Sequence, residues 1–304
     1  MSAEPSVAVI LVNWNGYPDT AACLESLRVL AYRNYSVTIV DNASSDGSEE
    51  KFRQNHPECA VLQAGSNRGF AGGCNLGIRH ALQYNPDYLL LLNNDTRVDP
   101  GLIRELVRMD QSGENIGITS GKVYFANPPD RVWCYGGSFN VNTGAAVHFL
   151  NEHEAAQVLK KPLYRYLPAC LWLLKRRCVE SVGLLSEEFF HLCEDVEYCL
   201  RLQQKGWKLA LTPNAVVYHK GSAAMERFSP VYNYYEQRNR LYVIKKYRTQ
   251  KRFALFQLFD CCVIAGRLCW TVFTARDLNG FLRNTRLVMK AVWDFLSGRT
   301  GKQF

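Results

Sequence analysis

Val7-Ala-Val-Ile-Leu-Val-Asn13 is a continuously apolar, β-branched run that ends on an amide side chain. A short run of this kind reads as a strand buried on both faces, and such strands belong to parallel sheets covered by helices. The next residues fit that reading. Pro18-Asp19-Thr20 opens a helix over Ala21–Leu30, with Cys23, Leu24, Leu27 and Leu30 at helical spacing. Val37–Val40 is predicted as a second strand, Asp46–Gln54 as a polar helix, Ala60–Gln63 as a third strand and Phe70–Tyr84 as a helix. Asp87–Leu92 (DYLLLL) is a further buried strand, followed by a helix over Pro100–Met109 with Asp99 and Pro100 as cap and first turn. Strands and helices alternating through short connections predict an α/β fold with a mostly parallel, doubly wound sheet whose crossovers share one hand. Beyond about residue 115 the rhythm changes, with turn signals at Gly136-Gly137 and Asn142-Thr143-Gly144. Ala169–Leu174 and Lys208–Leu211 read there as strands, Val196–Lys205 as a helix and Val231–Tyr247 as a long helix rich in Tyr and Arg.

With 304 residues, 47% hydrophobic and 21% charged, the chain is neither disordered nor fibrous. Its formal charge of +8 is unevenly placed: residues 1–237 hold 22 Lys/Arg against 25 Asp/Glu, and residues 238–304 hold 14 against 3. The basicity belongs to the tail, so an acidic partner would meet the tail and not the first 237 residues. Eleven cysteines, an odd number without a CxxC pair, read as reduced thiols filling a core. The apolar run at Val7 is too short for a signal core and has no basic region before it, so a cytoplasmic protein is expected.

In open parallel sheets ligands gather outside the carboxyl ends of the strands. Four polar clusters stand at such ends: Asn13-Trp14-Asn15, Asp41-Asn42, Gly65-Ser66-Asn67-Arg68-Gly69 and Asn93-Asn94-Asp95. Any one of them alone is an ordinary turn or cap; their repetition along one rim points to a site. Asp41 can accept from a nucleobase N–H or a ribose hydroxyl, whereas Asp46 reads as a helix cap. The segment Asn67–Asn75, with Arg68, Gly72 and a helix start, can receive phosphate, yet it matches neither GxGxxG nor GxxxxGK[ST]. Asp95 follows four leucines and suits a hard divalent cation, Mg²⁺ or Mn²⁺, that completes its shell with water and substrate phosphates. Farther on, Glu194 and Asp195 open the helix over 196–205, a placement the helix dipole favours. Functionally, one carboxylate there is placed to act as general base while its neighbour fixes an acceptor hydroxyl. His219, after another apolar run, becomes a second metal-ligand candidate only in that company.

Taken in order, Asn13-Trp14-Asn15-Gly16, Asp41–Ser48, Gly69–Asn75, Leu92-Asn93-Asn94-Asp95, Glu194-Asp195 and Tyr218-His219-Lys220-Gly221-Ser222 resemble the family 2 glycosyltransferases of GT-A fold over about residues 6–245. Within that family the chain is most similar to the bacterial rhamnosyltransferase subgroup. The resemblance implies a Rossmann-like GT-A domain over 1–237 and a helical extension over 238–304. It also implies inverting transfer of a sugar, L-rhamnose from dTDP-rhamnose in this subgroup, to a saccharide hydroxyl in cell-surface polysaccharide synthesis. Asp41 would contact the donor base, Asn94-Asp95 would stand at the DxD metal and pyrophosphate site, Asp195 would be the base with Glu194 beside it, and His219 would approach the metal. Asn13, Asn15, Asn67, Arg68, Gly72 and Asn75 would line the donor. Asn93 replaces the first acid of DxD. Arg238 and Arg240 stand where the family carries a basic segment near the donor phosphates, although residues two apart on a helix face different ways. Two other readings compete: a non-catalytic nucleotide or nucleic-acid binder, and a sugar-nucleotide-synthesising enzyme, which leaves Asp195 without a task.

The tail has its own reading. Phe253–Thr274 has no uncharged run long enough to span a bilayer but carries a wide apolar face, and Leu278–Leu296 continues it beside further Arg and Lys. This predicts a peripheral helix on an anionic membrane surface at the cytoplasmic leaflet, where a lipid-linked acceptor would lie. The alternative is packing on the catalytic part or on a second copy in a homo-oligomer. Nucleic acid is not expected as a partner.

Overall fold

The computed structural model describes residues 4–142, 144–151, 153–154, 165–221, 229–248 and 278–304. The opening run is β1 (Val7–Asn13). It is paired in parallel with β2 (Tyr35–Asp41) on one side and β4 (Tyr88–Asn93) on the other, and β3 (Ala60–Gln63) lies parallel beside β2. Past β4 the sheet continues through β11 (Leu171–Lys175), β6 (Ile116–Phe125), β12 (Lys208–His219) and β5 (Thr96–Val98), with β7 (Val132–Cys134) paired to β6. Because β11 is antiparallel to both β4 and β6, β6 regains the direction of β4, and β12 follows it in parallel. Six of the nine strands thus run one way and bring their carboxyl ends to one rim. A small second sheet joins β8 (Gly137–Phe139), β9 (Ala146–His148) and β10 (Arg165–Tyr166).

The alternation along β1 divides the core into two layers, since successive side chains leave opposite faces. Val7, Val9 and Leu11 pack with α1 (Tyr17–Arg28), α2 (Ser48–Asn55) and α4 (Leu102–Gln111). Ala8 and Ile10 join the layer of α3 (Gly69–Leu82), α5 (Arg176–Val182) and α6 (Glu194–Gln204), which also receives residues of α7 (Pro230–Tyr247) and α8 (Leu278–Leu296). Helix α3 lies very close to β1: a Cβ on Gly73 would come within 2.6 Å of Val12 and one on Gly77 within 2.5 Å of Ile10.

Most boundaries shift from the sequence expectation by one or two residues, and two shift by more. Helix α1 begins at Tyr17, four residues before Ala21, because Pro18 occupies its first turn, where no N–H is needed. Strand β12 runs eight residues past Leu211 to His219: Thr212-Pro213-Asn214 falls in a register shift between Leu211 and Val216, a bulge that accommodates a proline inside a strand. The eight cysteines among the described residues are all free thiols. Helix α7 runs unbroken across residues 237 and 238, and Tyr234 Oη donates to the buried Asp294 of α8 at 2.6 Å. The amphipathic stretch Phe253–Thr274 lies outside the described residues. Among those described, no helix is long and apolar enough to cross a membrane.

Candidate active site

The rim is built by strand ends that hydrogen-bond to one another. Asp41, with no exposed surface at the end of β2, accepts from Asn13 Nδ2 (2.9 Å), the Ser44 N–H (3.0 Å) and Gln63 Nε2 (3.1 Å). Three of its roughly four acceptor positions are thus spent inside the rim, which fixes the loops around the end of β2. Asn13 Oδ1 accepts from Thr20 Oγ1 at 2.8 Å, and Thr20 accepts from Asn94 Nδ2 at 2.9 Å, a polar chain from Asp41 to the end of β4. Asn15 closes the loops above it, its Oδ1 taking the Ser45 N–H at 2.7 Å and its own N–H going to Ser44 Oγ at 2.8 Å. Ser44, Thr20 and Gln63 are partners that pattern reading passed over, because isolated hydroxyls and amides carry no spacing signal.

The glycine-bearing segment divides its work. Asn67 Oδ1 accepts the Gly69 N–H (2.9 Å) and Asn42 Nδ2 (3.1 Å), and the Arg68 N–H goes to Asn42 Oδ1 (3.0 Å), which holds the Arg68 backbone at the rim. The Arg68 side chain, about one-third exposed, pairs with Glu187 at 3.2 Å. A pair so exposed is worth at most about 1 kcal/mol, so a phosphate can draw the guanidinium away. Gly72 and Asn75 are placed differently from the flexible phosphate loop that the sequence suggested, for both lie within helix α3. Gly72 leaves room for Arg68 to cross it, since a Cβ there would come within 2.6 Å of the Arg68 Cβ. Asn75 is buried and bonded both ways to Leu185, donating to its O (2.9 Å) and accepting from its N (3.0 Å).

Strand β5, three residues long and not foreseen, pairs antiparallel with the end of β12 and sets His219 opposite Thr96. His219 Nε2 then lies 3.1 Å from Asp95 Oδ1 and 3.1 Å from Asn93 Nδ2, while its buried Nδ1 has no partner. Either tautomer leaves a conflict. With Nδ1 protonated, the Nε2 lone pair faces the Asp95 carboxylate; with Nε2 protonated, the Asn93 amide loses its acceptor. A cation held between Nε2 and Oδ1 relieves it, and two donors about 2.1 Å from one ion at a right angle stand about 3.0 Å apart. Among the described residues no group of three or more His, Cys, Asp or Glu side chains converges. Among the described residues two donors meet there, an arrangement that fits a hard cation taking its remaining ligands from diphosphate and water.

Glu194 and Asp195 stand in the first turn of α6. Asp195 Oδ1 accepts the Val196 N–H at 2.7 Å, and the Ala169 backbone lies near enough to favour the charged carboxylate. The next residue, Cys170, accepts the Asn93 N–H through its carbonyl at 3.0 Å. The turn at Ala169–Cys170 therefore lies between the end of β4 and Asp195. Burial pushes the Asp195 carboxyl up to about 6, against these backbone N–H groups, and pushes Glu194 higher still, with the Asp195 charge adding to the effect. Glu194 Oε2 is buried without a partner, and burial holds the neighbouring His191 imidazole neutral. Arg238 and Arg240 face different ways, as their spacing required. Arg238 has no exposed surface and donates to Gly301 O at 2.8 Å, while Arg240 donates to Gln237 Oε1 at 2.7 Å and lies against Gly144.

Comparison with known proteins gives this arrangement a family. Residues 8–183 match the model described as glycosyl transferase family 2. A low-salt glycan biosynthesis hexosyltransferase of Haloferax volcanii is 26% identical over 239 residues, which cover 77% of this chain and 74% of that protein. An N-acetylglucosaminyl-diphospho-decaprenol L-rhamnosyltransferase of Mycobacterium tuberculosis is 26% identical over 233 residues, covering 69% and 75%. Among solved structures, a mannosyltransferase of Pyrobaculum calidifontis in complex with GDP-Man and Mn²⁺ superimposes with a TM-score of 0.58 at 15% identity, over 98% of this chain and 89% of that one. The expected GT-A fold is thus the observed one, and the strand-end motifs belong to an enzyme rather than to a passive nucleotide binder: the chain is a glycosyltransferase of family 2, similar to the bacterial rhamnosyltransferases.

Proposed function

We propose that the protein transfers a sugar, with inversion, from a nucleoside-diphosphate donor to a saccharide hydroxyl, using Asp195 as general base and a divalent cation at Asp95 and His219. The observation that supports this reading most is the turn at Ala169–Cys170, which takes the Asn93 N–H at the end of β4 and lies beside the buried Asp195 carboxylate, so that the donor rim and the proposed base stand at one place. The loops that Asp41 and Asn13 fix, with Asn15, would receive the nucleoside half, while Asn94, Asp95, Asn67 and Arg68 would hold the diphosphate. Asp195 takes the proton of the acceptor hydroxyl as the new C–O bond forms at the anomeric carbon. The old bond to phosphate breaks on the opposite face, its electron pair leaving with the diphosphate. Bound Mg²⁺ or Mn²⁺ supplies charge stabilisation for that leaving group. With its pKa raised towards neutrality, Asp195 is a stronger base than an ordinary carboxylate, and general-base assistance contributes about 10²–10⁴ in rate. Glu194, held protonated by the same burial, offers its unpartnered oxygen to the acceptor hydroxyl.

L-Rhamnose from dTDP-rhamnose is the donor the motif resemblance favours, and the relative that acts on a diphospho-decaprenol substrate favours a lipid-linked acceptor. For such an acceptor the extension would lie on an anionic membrane surface at the cytoplasmic leaflet. Leu282, Met289, Trp293 and Leu296 form an exposed stripe along α8 with Arg283 and Arg286 exposed beside it. The test of the reaction is a panel of dTDP-, UDP- and GDP-sugars with wild type and Asp195→Asn, with Mn²⁺ and with excess EDTA. Turnover of one donor that vanishes in EDTA, and falls at least about a hundredfold in Asp195→Asn with donor affinity kept, is expected. Wild-type rates in the variant sink the base, and undiminished rates in EDTA sink the metal.

A further inference from the structure

Two successive left-handed residues, Leu192 at φ 70° and Cys193 at φ 69°, turn the chain into α6 and set where Glu194 and Asp195 stand. The left-handed region costs an L-residue about 1–2 kcal/mol, so this turn requires a restraint. Asn239, on α7 and without exposed surface, provides one. Its Nδ2 donates to both carbonyls at the turn, His191 O at 2.7 Å and Leu192 O at 2.9 Å. Its Oδ1 accepts from Arg238 Nε at 3.0 Å, which fixes the amide with its donors towards the loop. Arg238 lies over the rings of Tyr234 and Tyr235, 5.5 and 5.1 Å from their centroids, and donates to Gly301 O. The Gly301 N–H donates in turn to Glu188 O at 2.8 Å, at the start of the same loop. On the opposite side the Phe70 N–H reaches Phe190 O at 3.3 Å. The carbonyls of residues 188, 190, 191 and 192 are all captured from outside the loop, two of them by one side chain.

We propose that Asn239 is a positioning residue for glycosyl transfer: it clamps the left-handed turn at Leu192 and Cys193 so that Asp195 meets the acceptor, and the C-terminal segment completes the clamp through Gly301 and Arg238. This rests on Asp195 being the base. The buried arginine that resembles a donor-phosphate ligand thereby has another task, keeping an amide in one orientation.

The test is a double-mutant cycle on the full chain, measuring hydrolysis of whichever nucleotide sugar the wild type turns over fastest, in saturating Mn²⁺, with rates divided by the folded fraction from circular dichroism. Asn239→Ala should lower kcat on the order of 10–100-fold while the donor KM stays within about twofold, the signature of a misplaced group rather than a lost contact. In a background carrying both Leu192→Gly and Cys193→Gly the turn is no longer strained, and the same substitution should cost less than about fivefold. Equal losses in both backgrounds overturn the clamp, as does a loss that disappears on correction for folding. Asp195→Asn, run alongside, separates the two readings. Wild-type turnover there sinks the base whatever Asn239 does, whereas an inactive Asp195→Asn beside an uncoupled Asn239→Ala sinks the clamp alone.

Discussion

The raised carboxyl of Asp195 makes a quantitative demand on the pH profile. A general base works only when deprotonated, so under the proposal that Asp195 is that base, with its pKa pushed up to about 6, activity must be lost as pH falls through that value. The deprotonated fraction is about 0.9 at pH 7 and about 0.1 at pH 5, a roughly tenfold fall that an ordinary aspartate, titrating near 3.9, would not show. The assay is donor hydrolysis, with water standing in for the acceptor hydroxyl, followed from pH 4.5 to 9 at saturating donor and saturating Mn²⁺. Acid unfolding through this pair does not mimic the result. Both carboxyls bind protons more tightly in the folded chain than in the unfolded one, so their contribution to stability grows as pH falls from 8 towards 4 and is lost in the other direction. Because the two titrate together, the observed midpoint belongs to the pair. A rate still level at pH 5 refutes the argument that burial has tuned this carboxylate.

Three further outcomes are expected from other parts of the structure. His219→Ala removes one of two protein donors and should raise the half-saturating Mn²⁺ concentration at least about tenfold in calorimetric titration with nucleoside diphosphate present; an unchanged affinity removes His219 from the site. Gly69→Ala places a methyl group 2.0 Å from Phe190 O at a backbone φ of +69° and should cost at least about 2 kcal/mol in urea unfolding, so a neutral result contradicts the close approach of α3 to the loop before α6. Trp293→Glu combined with Arg286→Glu should abolish co-sedimentation with vesicles rich in phosphatidylglycerol, and wild-type protein that ignores those vesicles excludes the membrane role of α8.

The first half of the fold was readable because β1 and β4 are buried on both faces and state it in their composition, with polar residues marking where each strand emerges. Asp41 and Asp95 were singled out by that logic alone, and the structure places both at the strand-end rim. The direction of β11 was not readable, since Leu171–Leu174 is as apolar as a parallel strand, and only its pairing with β4 and β6 reveals that it runs the other way. The nearness of His219 to Asp95 depends on β5, whose three residues are too few for a period. Pro213 hid the second half of β12, because a bulge that tolerates proline depends on the neighbouring strand rather than on local sequence. Arg238 misled for a different reason: a basic residue near presumed phosphates looks like a ligand, and nothing in its neighbours announces complete burial. Asn239, immediately beside it, carried no motif at all, and its importance comes entirely from the two carbonyls it meets.

The Ala169–Cys170 turn bears on how the enzyme breathes. Thermal motion in a two-sided cleft usually changes the gap between its walls, because each wall rides on its own element. Here the aspartate that would receive the proton and the strand end that would hold the departing diphosphate both adjoin one turn, at Ala169–Cys170. When that turn moves, both ends of the proposed reaction would shift with it, and the span between attack and departure would change less than between independent walls. Changes of donor or acceptor can then accumulate in the surrounding loops while the interval over which the sugar migrates changes little.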